Sequence, residues 1–160
     1  MSNSTMQEKF MLRAIELSKT NVEAHGGGPF GAVVVLNGKI IGEGFNKVTA
    51  SNDPTAHAEV EAIRAACKFV SNFELKDAEI YTSCEPCPMC LSAIYWARLA
   101  KIYYANTRKD AAAINFDDDF LYQEIPKDLS LRKIKMVQIG RDEALKVFRT
   151  WEQKTDKIIY

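Results

Sequence analysis

The chain reads as an α/β protein of three layers, α/β/α, around a mixed five-stranded sheet that opens with a β-hairpin. Three observations predict this. A helix-period apolar pattern, Phe10, Met11, Ala14, Ile15, Leu17 and Val22, precedes any strand. Two β-prone runs then flank Asn37-Gly38, the strongest short-range hairpin signal. After that hairpin, strand-like and helix-like segments alternate.

Taken in order, Thr5 with Glu8 forms a capping box for the first helix. His25-Gly26-Gly27-Gly28-Pro29 ends it in a tight turn, because neither glycine nor proline sustains a helix. Phe30 to Leu36 is the first strand and Lys39 to Asn46 the second. Gly42 and Gly44 either weaken the second strand or mark the close approach of another group. Lys47 to Asn52 is a polar loop. Asp53 as N-cap and Pro54 at the first helical position start a helix that continues through Val70. Glu79 to Ser83 is a strand, Pro88 to Ala97 a helix, and Lys101 to Ala105 the fourth strand. Asn106 to Ser130 is irregular, with an acidic run at Asp117-Asp118-Asp119 between Phe116 and Phe120. Ile134 to Ile139 is the fifth strand and Arg141 to Trp151 the last helix, followed by a short tail.

At 160 residues the expected organisation is one domain over 1–160, with 153–160 as its C-terminal tail. Basic and acidic residues balance at 21 each, which argues against a general nucleic-acid binder. No run is long enough to span a membrane. The polar opening Met1-Ser2-Asn3-Ser4-Thr5 is followed by no apolar stretch, so no secretory leader is expected and the cytoplasm is the expected compartment. Four cysteines in such a chain read as metal ligands and buried thiols rather than as a disulfide framework.

The chemistry concentrates in Thr55-Ala56-His57-Ala58-Glu59 and in Tyr81 to Cys90, which contains Cys84-Glu85-Pro86-Cys87-Pro88-Met89-Cys90. One imidazole and two thiolates suit zinc, and three protein ligands leave the fourth position open for water. Cysteines at a helix start are biased toward the thiolate by the helix dipole. Glu59 beside the histidine is placed to take a proton from such a water. Cys84 complicates the reading, because Cys84 with Cys87 and Cys87 with Cys90 are overlapping Cys-x-x-Cys pairs. A closed structural site of His57, Cys84, Cys87 and Cys90 accounts for every ligand but leaves Glu59 without a role. A redox pair leaves both His57 and Glu59 unexplained.

His-Ala-Glu followed by Pro-Cys-x-x-Cys resembles the cytidine deaminase superfamily and its zinc nucleobase deaminases. More closely, the chain is similar to the small zinc guanine deaminases. That similarity runs through Gly28-Pro29-Phe30-Gly31-Ala32, Ser51 to Glu59, Tyr81 to Cys90, Ala93 to Ala97, Phe116-Asp117-Asp118 and Tyr160. The resemblance implies a cytidine deaminase-like fold, with zinc on His57, Cys87 and Cys90 and Cys84 as a neighbour. It implies Glu59 as the proton shuttle and places Phe30, Asn46, Asp118 and Tyr160 against the base. Tyr160 would close the pocket from the tail. The implied reaction is hydrolysis of guanine to xanthine and ammonia, with a small purine base as the partner and no organic cofactor. A homodimer is expected, with an exchanged C-terminal segment as one way to build it. Guanosine, cytosine or tRNA adenosine remain alternative substrates, and a zinc-stabilised binding module without catalysis is the alternative of another class.

Overall fold

A computed structural model describes residues 3–160. Met1 and Ser2 of the polar opening lie outside the described residues. Helix α1 spans Asn3–Glu23, followed by strands β1 (Gly31–Leu36) and β2 (Lys39–Phe45). A single turn, α2 (Val48–Ser51), leads to α3 (Ala58–Val70), β3 (Glu79–Cys84), α4 (Pro88–Trp96) and β4 (Lys101–Asn106). Two short helices follow, α5 (Arg108–Ala113) and α6 (Asp119–Glu124), then a 3-10 turn at Leu129–Leu131 and α7 (Arg141–Gln153). The chain divides into two compact units, the first running to Asp119 and the second spanning Phe120–Tyr160.

The first unit holds the sheet, in the order β2-β1-β3-β4. Strand β1 pairs antiparallel with both β2 and β3, and β3 pairs parallel with β4. Asn37 and Gly38, at φ 51° and 73°, make the tight hairpin turn that their identities predict. Alternate side chains of β1 and β3 face opposite layers. Val33, Val35 and Tyr81 pack with Phe10 of α1, and the Phe10 and Tyr81 ring centroids lie 5.4 Å apart. Ala32, Val34 and Ile80 face Ala58, Ala62 and Ala66 of α3 and Ile94 of α4.

The contact between α3 and β2 sets where the helix ends. A Cβ at Gly44 would lie 2.1 Å from the Ala58 carbonyl oxygen and 2.5 Å from the Ala62 nitrogen. At Gly42 it would lie 2.3 Å from the Ala62 oxygen and 2.7 Å from the Ala66 nitrogen. A four-residue helix step advances about 6 Å and a two-residue strand step about 7 Å, so glycines two apart meet alanines four apart. Of the two readings of these glycines, close approach is the one realised.

Several expectations are corrected. The first helix is already running at Asn3, so Thr5 lies inside it and does not cap it with Glu8. The helix expected from Asp53 starts at Ala58. Asp53 instead closes an Asx turn, its Oδ1 accepting from the Thr55 backbone N–H at 2.8 Å and the Thr55 hydroxyl at 2.7 Å. The stretch 106–130, expected to be irregular, holds the two short helices α5 and α6. Thr107 and Asp110 form a reciprocal capping box that starts α5. The sheet has four strands, not five, because Ile134 to Ile139 forms no ladder. Ile134, Val137 and Ile139 are 81%, 81% and 87% exposed, and a β-prone run without a strand beside it has nothing to pair its backbone groups with.

In the second unit, the Arg132 guanidinium donates to the carbonyls of Ile125 at 2.7 Å and Lys127 at 3.2 Å. The Lys133 N–H donates to Glu124 at 2.8 Å. Helix α7 carries Val147 and Phe148 exposed.

Substituting Gly44→Ala forces α3 away from β2, since the obstructing atoms are backbone. Overpacking of this kind costs about 1–3 kcal/mol or more, so the variant is expected to melt at lower temperature and to retain less metal. A thermal melt matching the parent protein contradicts the close approach.

Candidate metal centre and adjoining cavity

His57 and Cys87 are the N-cap residues of α3 and α4, with extended ψ values of 155° and 168°. A cap residue that folds back to bond its own helix is unavailable for anything else. Neither of these makes a side-chain cap bond, so both reach beyond their helix ends. Pro88 takes the first position of α4, where its missing N–H costs nothing. Cys90 follows in the first turn and is fully buried.

The three side chains converge. His57 Nδ1 lies 3.6 Å from Cys87 Sγ and 3.4 Å from Cys90 Sγ, and all three donor atoms fall within 4.8 Å of one another. Zn–N and Zn–S bonds of about 2.1 and 2.3 Å at tetrahedral angles require donors about 3.5 Å apart, so the cluster fits a zinc ion. His57, Cys87 and Cys90 are the one such group of potential ligands among the described residues. Cys84 is not part of it; its Sγ sits 3.6 Å from the Thr107 carbonyl oxygen. Burial pushes the Cys84 thiol up to about 11, which keeps it protonated. By contrast, hydrogen bonding from Cys90, together with that from His57, holds Cys87 down to about 4. Cys90 is raised as the donating partner and His57 is raised by the Cys87 thiolate. Among the described residues, the donor atoms that cluster are therefore those of His57, Cys87 and Cys90, with Cys84 outside the group.

Glu59, in the first turn of α3, is buried, and burial raises its pKa. Its Oε1 lies 3.4 Å from the Thr82 hydroxyl, which also donates to the Cys84 carbonyl at 2.9 Å. Thr82 was not anticipated, although an inward-facing hydroxyl in the apolar run of β3 is a readable signal.

A cavity of about 450 Å³ adjoins the cluster and is lined by His57, Glu59 and Cys87. Phe30 and Phe116 form part of its wall, edge to face with centroids 5.0 Å apart. Asn46, just past β2, lines it too, with its Oδ1 accepting from the N–H groups of Gly28 at 3.3 Å and Val48 at 3.2 Å. Asp117 and Asp118 both reach it. Asp117 accepts from the Asp119 N–H at 2.9 Å, whereas Asp118 is raised first by burial and then by the Cys87 thiolate. Arg108, at the start of α5, and Asn115, just past its end, also line the cavity and were not anticipated. The Thr107-x-x-Asp110 cap was the available signal. Trp96 and Tyr95 are exposed, and neither lines the cavity. Tyr160 belongs to the second unit and is exposed.

Residues 4–106 match the model of the cytidine and deoxycytidylate deaminase zinc-binding region. The chain is 52% identical to the guanine deaminase of Bacillus subtilis (strain 168) over 153 residues, 96% of this chain and 98% of that one. It is 38% identical to the tRNA-specific adenosine deaminase of Haemophilus influenzae over 122 residues, covering 73% and 70% of the two chains. An X-ray structure of guanine deaminase from Bacillus subtilis superposes with a TM-score of 0.94 at 51% identity, covering 100% of this chain and 99% of that one.

Replacing Cys84 by Ala is expected to leave zinc stoichiometry unchanged, as measured by elemental analysis of the purified protein. Loss of zinc in Cys84→Ala would make Cys84 a fourth ligand and the site a closed one.

Proposed function

The chain belongs to the zinc-dependent cytidine and deoxycytidylate deaminase family, and from that premise we propose that it hydrolyses guanine to xanthine and ammonia. The carrying observation is that His57 and Cys87 of the three-donor cluster and the buried carboxylate of Glu59 line one cavity of purine-accommodating size. Extensive identity with the Bacillus subtilis guanine deaminase supports guanine as the base.

In this reading His57, Cys87 and Cys90 hold zinc, which when bound supplies a Lewis acid that makes a water nucleophilic at neutral pH. Glu59 takes a proton from the attacking water and passes it to N3 of the purine as the C2–O bond forms. It then takes the remaining proton of the added oxygen and delivers it to the amino group, and the C2–N bond breaks to release ammonia. Burial suits Glu59 to this work, since a desolvated carboxylate holds a proton more readily than one in water. Phe30 packs against the ring, and Asn46 and Asp118 orient it through hydrogen bonds to its polar edge.

The tail completes the proposal. Ile158, Ile159 and Tyr160 end the chain with apolar and aromatic surface, exposed in the chain taken alone. Burying a large apolar side chain is worth about 1.5–3 kcal/mol, so such an ending favours a docked position over a frayed one. We assign 153–160 to closing the active site, with Tyr160 against the base, in a homodimer that exchanges its C-terminal segment. The exposed Ile134, Val137, Ile139 and Phe148 support a second copy as the cover for this region. We assign the reaction to the cytoplasm, where the free cysteines stay reduced. No described helix is long and apolar enough to cross a membrane.

Ammonia release from guanine, guanosine, adenine, cytosine and tRNA tests the substrate. Guanine is expected to be the preferred substrate, and Glu59→Gln is expected to keep zinc and fold while losing at least about a thousandfold in kcat. Preference for tRNA or a nucleoside, or near-normal turnover by Glu59→Gln, contradicts the proposal. Ending the chain at Lys157 is expected to preserve zinc while raising KM for guanine and weakening the dimer in sedimentation. Unchanged kinetics would confine the tail to packing.

A further inference from the structure

Gly26-Gly27-Gly28 supplies more glycine than a turn requires, and its neighbours explain why. A Cβ at Gly26 would lie 2.3 Å from Asn21 Oδ1. One at Gly27 would lie 2.7 Å from the Asn46 backbone oxygen and 2.8 Å from Asn46 Oδ1. The loop is wrapped on two asparagines, both buried. Asn21, in the last turn of α1, commits its amide nitrogen to two carbonyls, those of Gly28 and Asn46, each at 2.9 Å. Asn46 in turn commits its Oδ1 to the Gly28 and Val48 N–H groups. Asn21 Oδ1 meets no partner and is the one such buried side-chain atom among the described residues. An orphaned buried carbonyl is a standing cost that packing alone does not explain.

We propose that Asn21 is a positioning residue for substrate selection: it clamps the glycine loop and the end of β2 so that Asn46 presents its amide nitrogen, and not its oxygen, to the cavity. An Asn amide held in one orientation discriminates; one free to flip accepts either a donor or an acceptor. A clamped Asn46 offers a donor only and so favours a ring with an acceptor at that edge. Guanine carries such acceptors at O6 and N7, whereas adenine presents an amino donor beside N7. The inference rests on the reading of Asn46 as a base contact.

Steady-state kinetics on guanine for Asn21→Ala, Asn46→Ala and the double variant test it, with zinc content measured on each. Both single variants are expected to raise KM about tenfold with kcat within about threefold, and the double variant to be no worse than Asn46→Ala. Zinc is expected to stay stoichiometric in all three. Gly26→Ala drives a methyl group into the Asn21 side chain without removing it and is expected to reproduce the rise in KM; it carries the test if Asn21→Ala does not fold. Multiplicative effects in the double variant, a fall in kcat at unchanged KM, or wild-type KM in the Asn21 and Gly26 variants overturns the clamp. If Asn46→Ala raises KM in that case, the base contact and the guanine reading stand. Wild-type KM in Asn46→Ala overturns the base contact and the clamp together.

Discussion

The close seating of α3 on β2 is the constraint from which the site follows. Gly42 and Gly44 leave no side chain between the strand and the helix, and Ala58, Ala62 and Ala66 fill the gap with the smallest side chains that still favour a helix. Because the strand and helix stack backbone on backbone, the position of the first helical turn is set by the strand. His57 and Glu59 belong to that turn. Their approach to Cys87 and Cys90 is therefore a consequence of packing elsewhere in the layer, and tetrahedral coordination tolerates only small errors in it.

The same site combines opposite electrostatic demands. Two helix N-termini direct partial positive charge at a cluster that must hold a metal cation. With zinc held there, the two thiolates would offset the charge of the cation, so the helix ends would not face a net positive centre. Burial favours the neutral form of Glu59, as it does of Cys84 and Asp118, while Cys87 is driven toward the thiolate. A carboxylate disposed to hold a proton and a thiol disposed to ionise are thus separated by environment, within one small volume.

Beyond the metal cluster, polar groups are aimed by backbone rather than by one another. Asn46 is fixed by Gly28 and Val48, and Asp117 by the start of α6. Backbone partners of this kind hold a side chain in one orientation whether or not a ligand is present, which lowers the ordering cost of binding. Phe30 and Phe116 set an apolar wall beside those few polar groups, the usual make-up of a small-molecule pocket.

The features legible in the sequence were local turns and the chemistry of the donor set. Asn37-Gly38 dictates its turn because both residues tolerate positive φ. His57, Glu59, Cys87 and Cys90 declare a metal chemistry because few other uses need those donors at those spacings. Tertiary structure decided everything that depends on a partner distant in sequence. Ile134 to Ile139 has strand-like residues, yet a strand exists only as part of a ladder, and among the described residues this run joins none. Asp53-Pro54 has the form of a helix start, yet the helix waits for His57, where Ala58 and Ala62 seat against Gly44. Cys84 was equivalent to its neighbours by spacing and was separated from them by a contact with Thr107. Asn21 looked like an ordinary helical residue. Its significance depends on Gly28 and Asn46, which only the folded chain brings within hydrogen-bonding reach.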